Sequence, residues 1–217
     1  MTVTTPRAPR DRYVGVVLSA GASTRSGPSP KSVADVDGIP AISRVVRVLR
    51  SVGVVETAIV VGAHRAVLEP LARAEEAVLL LNPGWRRGRT GSVQVGLEWA
   101  DGADGVVLWP IDHPFVEPGT VGRLLEVARG DPLALWVGPT FRGRGGHPVT
   151  IKSAAFPAVM ELGPDEPLRR VLARLGVQVR RVEVRDPGVL SGTDTPEEYD
   201  RARAEYARAR GGAWTVG

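Results

Sequence analysis

The chain has 217 residues, 43% of them hydrophobic and 24% charged, ordinary values for a folded protein that exclude a wholly disordered chain. It contains no cysteine, which excludes disulfides, thiolate-bound metals and thiol catalysis, and its three histidines (His64, His113, His147) are too scattered for a histidine metal site. The net charge is +4, yet 26 of the 28 basic residues are arginine, a bias that fits a GC-rich genome better than a nucleic-acid surface.

Residues 1–12 are polar and carry Pro and Arg without the apolar centre of a secretory signal, so a flexible N-terminal tail is expected. No composition shift marks a linker after it. Residues 13–210 are expected to form a single domain and 211–217 a C-terminal tail. Short unbroken apolar runs follow at 14–18, 58–61, 78–81, 106–109 and 133–137. Such runs predict strands buried on both faces, as in a parallel sheet covered by helices. Between them Ile42, Val45, Val46 and Leu49 repeat at helical spacing behind Pro40, which suits a first-turn position. Val121, Leu124, Leu125 and Ala128 repeat the pattern, as do Leu168, Val171, Leu172 and Leu175. A last helix is expected at Thr195-Pro196-Glu197-Glu198, with Thr as N-cap and Glu198 closing a capping box. Strand and helix alternating at this pace predict a three-layer α/β/α sandwich with a Rossmann-like, mostly parallel sheet. No run approaches the roughly 20 apolar residues of a membrane helix, so neither membrane nor nucleic acid is an expected partner.

Ligands of such sheets gather at the carboxyl ends of the strands. After the first run comes Leu18-Ser19-Ala20-Gly21-Ala22-Ser23-Thr24-Arg25-Ser26-Gly27-Pro28-Ser29-Pro30-Lys31. Its small side chains let backbone N–H groups approach an anion, while Arg25 and Lys31 neutralise phosphate charge. It is neither a Walker A loop nor a dinucleotide fingerprint. A surface loop with incidental charges is the alternative, but one of only two lysines in the chain stands here.

This loop resembles the signature of the MobA-like nucleotidyltransferases, which make molybdenum-cofactor dinucleotides and related activated compounds. The likeness continues through Lys31…Gly38…Pro40…Val45-Val46, Asn82-Pro83-Gly84-Trp85…Gly88…Gly91-Ser92…Gly96-Leu97 and Asp112-His113-Pro114-Phe115-Val116. It ends with Gly145-Gly146-His147-Pro148-Val149 and Asp194-Thr195-Pro196-Glu197-Glu198. The resemblance implies a nucleotide-diphospho-sugar-transferase-like fold and a cytoplasmic enzyme. The reaction it implies transfers a nucleoside monophosphate from a triphosphate to a small phosphorylated acceptor and releases pyrophosphate.

Residue by residue, the resemblance casts Arg25 and Lys31 as stabilisers of the leaving pyrophosphate and Leu18, Ala20 and Gly21 as backbone contacts to the nucleotide. Asn82, Gly91 and Ser92 fall where the family places base contacts, although a β–α turn explains each equally well. Asp112 becomes a Mg²⁺ ligand, a hard oxygen donor; the bland alternative is a cap for the following loop. Asp194 becomes a second metal contact, with a helix-end role as its alternative. His147 and Pro148 fall on the acceptor side, after the basic segment 142–146, which is otherwise an exposed loop. His113 reads as a loop residue rather than a base. Two positions before Asp194, where the family carries Asp or Asn, this chain has Gly192, so that Asp194 or water serves there, or the second contact is missing.

Ser23 and Gly146-His147-Pro148 resemble the cytidylyl branch and favour CTP, while the extra residue between Gly27 and Lys31 resembles the guanylyl branch and points to GTP. A molybdopterin-type cofactor is the first-choice acceptor, with a molybdoenzyme or its chaperone as an implied protein partner. The other readings are transfer to a sugar phosphate or phospholactate, or nucleotide binding without turnover.

Overall fold

The structure, a computed structural model, describes residues 12–23 and 29–211. Arg25 and nearly all of the two expected tails lie outside the described residues. Arg12, placed in the tail by sequence, already belongs to the fold: its backbone N–H donates to Asp104 at 2.7 Å and its guanidinium pairs with Glu56.

In chain order the elements are β1 (Tyr13–Ser19), β2 (Asp35–Val36), β3 (Ile39–Pro40), α1 (Ala41–Ser51), β4 (Thr57–Val61), α2 (Arg65–Ala74) and β5 (Val78–Leu81). There follow α3 (Arg89–Trp99), β6 (Gly105–Pro110), α4 (Pro118–Gly130), β7 (Trp136–Phe141), β8 (Arg144–Gly145) and β9 (Val149–Lys152). The last are α5 (Phe156–Met160), α6 (Arg169–Leu175), β10 (Val179–Glu183) and α7 (Pro196–Gly211). The main sheet runs β10-β7-β9-β6-β1-β4-β5, with β8 attached to β7. β1 pairs in parallel with both β4 and β6, β4 with β5, and β10 with β7; β9 runs antiparallel between β6 and β7.

Strand side chains alternate between two apolar layers, as the pleat requires. Tyr13 and Val17 of β1 and Val107 and Trp109 of β6 join the layer built with α1, α2, α4 and α7. Val14, Val16, Val106 and Leu108 join the layer of α3, α5 and α6. The mostly parallel three-layer architecture expected from the alternating runs is the one observed. Among the described residues, no helix is long and apolar enough to cross a membrane.

Three local expectations need correction. The run at 133–137 does not open a strand, because Leu133 is 67% exposed in a turn and β7 begins at Trp136. The run at 78–81 is a strand, but as the sheet's edge it leaves Val78 and Leu81 exposed rather than buried on both faces. Pro40 precedes α1 with extended backbone instead of occupying its first turn. The stripe Leu168, Val171, Leu172 and Leu175 packs as expected against one core layer, with Leu168 as the N-cap of α6. The capping box is present: the Glu198 N–H donates to Thr195 Oγ1 at 3.2 Å, and the Thr195 N–H donates to Glu198 Oε2 at 3.1 Å.

Candidate active site

The carboxyl ends of β1 and β6 lie side by side, joined where the Ile111 N–H donates to the Leu18 carbonyl. From β1 the chain runs into small residues, and the turn after β4 holds them in place. The Ala63 N–H donates to the Ala20 carbonyl, and a His64 ring nitrogen lies 2.9 Å from the Ala22 carbonyl. Leu18 to Ser23, Lys31, Trp85, Gly88, Arg89, Ser92, Pro110 to Asp112, and Asp194 line a cavity of about 360 Å³ at this point.

The turn carrying Asp112 is fixed through its backbone. The Thr193 N–H and hydroxyl both donate to the Asp112 carbonyl, at 3.0 and 3.2 Å, which brings Asp194 to the cavity from 82 residues further along the chain. Trp109 Nε1 donates to the His113 carbonyl, and buried Arg44 donates to the carbonyls of Pro114 and Val116. The Asp112 side chain takes no part in this scaffold: its buried Oδ1 has no hydrogen-bond partner. Lys31 Nζ donates to Asp194 Oδ1, so the lysine and the second carboxylate are in direct contact at the cavity lining.

A hard divalent cation fits this donor set. A buried carboxylate oxygen left without a partner is costly unless something completes it. Mg²⁺ characteristically takes one or two carboxylates and leaves its other positions to water and phosphate oxygens. Among the described residues, no cluster of three or more His, Asp or Glu exists to build a closed protein cage.

A second cavity of about 540 Å³ adjoins the first and shares Leu18, Arg89 and Pro110 with it. Its floor is apolar, with Leu108, Trp136, Val149, Leu172 and Val179, and its rim carries Arg169, Arg180, Arg181, Asp165 and Glu166. His147 lines it, while Pro148 is buried outside the lining. His147 is set by its neighbours: its N–H donates to the Val189 carbonyl, and a Cβ at Gly146 would stand 2.3 Å from that same oxygen. His113 and His147 pack with ring centroids 5.1 Å apart. Burial pushes the His147 pKa down to about 4 and lowers that of His113 as well, against the pull of Asp112 in both cases. Both rings are therefore neutral near pH 7 and add no positive charge.

The expected residues thus divide. Leu18, Ala20, Gly21, Lys31, Ser92, Asp112 and Asp194 converge on the first cavity, and His147 lines the second. Asn82 and Gly91 stand behind the wall: Asn82 Nδ2 donates to Ser92 Oγ and Asn82 Oδ1 accepts from the Gly84 N–H, both at 2.9 Å, so it orders the turn leading to α3. Sequence reasoning did not single out Arg89, Arg169, Arg180 and Arg181, since nothing local separates them from the chain's other arginines.

Gly192 lies outside both cavity linings, its φ is not in the left-handed region, and a Cβ there would meet nothing within 4 Å. A side chain at this position meets no backbone strain. Gly192→Asp should therefore fold like the wild type and show the same stabilisation by Mg²⁺ plus triphosphate, to within about 2 °C in paired melting curves. A clearly larger metal-induced shift in the variant would place residue 192 against the metal and overturn this.

Comparison with known proteins shows the family of the chain. The model of the MobA-like NTP transferase domain matches residues 15–180. The purine catabolism protein PucB of Bacillus subtilis is 36% identical over 54% of this chain, and the match spans 57% of PucB. Nicotine blue oxidoreductase of Paenarthrobacter nicotinovorans is 27% identical over 86% of this chain and 94% of its own. A probable molybdenum cofactor guanylyltransferase of Natronomonas pharaonis is 28% identical, covering 87% of this chain and 96% of its own. Among solved structures, a nucleotidyl transferase from Methanothermobacter superposes with a TM-score of 0.79 at 21% identity, over 91% of this chain and 99% of that one.

Proposed function

The chain belongs to the MobA-like NTP transferase family and is a nucleotidyltransferase, and on that premise we propose that it transfers a nucleoside monophosphate from CTP or GTP to a phosphorylated, molybdopterin-type acceptor, with Mg²⁺ as its metal. The observation that carries this reading is the pair of adjoining cavities. One has small residues, two carboxylates and a lysine; the other has an apolar floor under arginines. A pocket of some 540 Å³ with Trp136 and Leu108 in its floor suits a flat heteroaromatic body better than a sugar phosphate or phospholactate, which bring little apolar surface. The CTP-like motifs at Ser23 and 146–148 and the guanylyltransferase among the relatives support the two donors in turn.

In this reading the backbone of Ala20 and Gly21 lies against the nucleotide, and Lys31, with Arg25, takes up charge on the pyrophosphate. Asp112 and Asp194 hold Mg²⁺, which when bound supplies positive charge to the phosphate oxygens. An oxygen of the acceptor phosphate forms the bond to the α-phosphorus as the bridge to the β-phosphate breaks, and that electron pair leaves with pyrophosphate. A phosphate monoester is already ionised at neutral pH. The acceptor oxygen therefore attacks without a general base. A molybdoenzyme or its chaperone then receives the product.

The test is pyrophosphate release with each of the four nucleoside triphosphates, Mg²⁺, and molybdopterin, a sugar phosphate or phospholactate as acceptor. Release with CTP or GTP and molybdopterin alone is expected. Release only with another acceptor replaces the acceptor assignment, and nucleotide binding without any release makes the chain a non-catalytic binder.

A further inference from the structure

Two anions must meet on the wall between the cavities if the transfer proposed above takes place, and among the described residues that wall carries one charged side chain. Of the three residues common to both linings, Leu18 and Pro110 are apolar and the third is Arg89. Lys31 lines only the first cavity; Arg169, Arg180 and Arg181 line only the second.

Arg89 is also uncommitted. Among the described residues its side chain forms no ion pair and no hydrogen bond, as holds for Arg169 and Arg181 in the second cavity, whereas Arg180 is paired with Asp131 at 2.6 Å. Its backbone, in contrast, is firmly placed. Gly88 before it has φ +144, and a Cβ there would stand 2.3 Å from the Pro164 carbonyl oxygen, so only glycine lets the two segments approach. Thr90 after it donates to the Glu166 carbonyl at 2.5 Å, and the Gly91 N–H donates to that of Pro164 at 3.4 Å. A fixed main chain thus presents a free guanidinium at the junction, close enough for its field to reach the His147 ring.

We infer that Arg89 is a catalytic residue that bridges the two substrates, donating to the acceptor phosphate and to the α-phosphate at once. The planar guanidinium suits this task, because its donors form a fork that grips two oxyanions in one plane, which an ammonium cannot do. The inference rests on the reading above of the first cavity as the triphosphate site and the second as the acceptor site.

The full chain, saturated with Mg²⁺ and a non-hydrolysable α,β-methylene triphosphate, is titrated calorimetrically with inorganic phosphate as the acceptor probe. Arg89→Met and Arg89→Lys are compared with the wild type, and melting curves confirm folding. Arg89→Met is expected to weaken phosphate binding about tenfold or more, the effect of losing a charge-assisted pair, and to weaken analogue binding by a comparable factor, because the same side chain donates to the α-phosphate. Arg89→Lys should recover part of the loss. Equal phosphate affinity in wild type and Arg89→Met, or no phosphate binding by the analogue-loaded wild type, overturns the bridging role alone. Weakened analogue binding with phosphate affinity unchanged makes Arg89 a donor-side residue, weakened phosphate binding with analogue affinity unchanged makes it an acceptor-side one, and either overturns the bridging role. A wild type that binds no analogue overturns the functional reading itself, and this inference with it.

Discussion

Asp112→Asn is expected to lower Mg²⁺-dependent pyrophosphate release by on the order of 10³-fold while leaving the fold intact. The separation of the two effects follows from how the residue is held. Its backbone carbonyl accepts from Thr193, and the neighbouring carbonyls are tied to Trp109 and Arg44, but the carboxylate contributes to none of these bonds. Its Oδ1 is buried without a partner, and the nearest cationic candidate, His113 Nε2, is 3.8 Å away on a ring that burial keeps neutral. An amide of the same shape therefore removes a hard oxygen donor without removing a structural contact. Melting in the absence of metal should move by no more than about 3 °C, the equivalent of roughly 1 kcal/mol for a chain of this size. The stabilisation by Mg²⁺ plus triphosphate should largely vanish, since only ligands bound by the folded state raise its melting temperature. If the variant unfolds, or keeps full activity, Asp112 is a loop cap and not a metal ligand.

What was legible in the sequence follows from which faces are buried. β1, β4 and β6 lie inside the sheet and read as unbroken apolar runs. β10 forms the far edge and mixes Val179 and Val182 with Arg180, Arg181 and Glu183, so the same criterion passes over it. β9, the short antiparallel strand Val149-Thr150-Ile151-Lys152, carries no apolar run at all. Helix ends were better marked, as Thr195 and Glu198 show, because capping chemistry is local in sequence. The candidate site is the reverse case. Lys31 and Asp194 stand 163 residues apart, and spacing alone gives no reason to join them; only the resemblance did. Asn82 carried a motif yet serves the turn behind the wall, while Arg89 carried none and stands on the wall itself. A side chain's direction is set by tertiary packing, which the motif does not encode.

Lys31→Ala is expected to lower turnover roughly 10²–10³-fold, the usual effect of removing one electrostatic stabiliser, for a reason that sets it apart from Asp112→Asn. Lys31 enters the first cavity from a single 3₁₀ turn and donates to Asp194, whose side chain is 35% exposed. With Lys31 only 14% exposed the pair is partly buried, so its loss should cost about 1–2 kcal/mol and shift melting by about 2–8 °C. Asp194 then keeps its place through Thr193 and Glu198, because its N–H donates to Glu198 Oε2 at 2.8 Å. Released from the ammonium, its carboxylate has one more oxygen for a cation. Stabilisation by Mg²⁺ alone should therefore be retained or increased in Lys31→Ala, where Asp112→Asn abolishes it. Stabilisation by triphosphate should fall, since a positive charge facing the phosphates has gone. The two variants together separate cation holding from leaving-group stabilisation within one cavity, using melting curves with metal alone and with metal plus triphosphate beside the turnover assay. Turnover of Lys31→Ala within about threefold of the wild type, or loss of the Mg²⁺ shift in that variant, would show that the lysine only holds Asp194 in place and leaves the pyrophosphate to other groups.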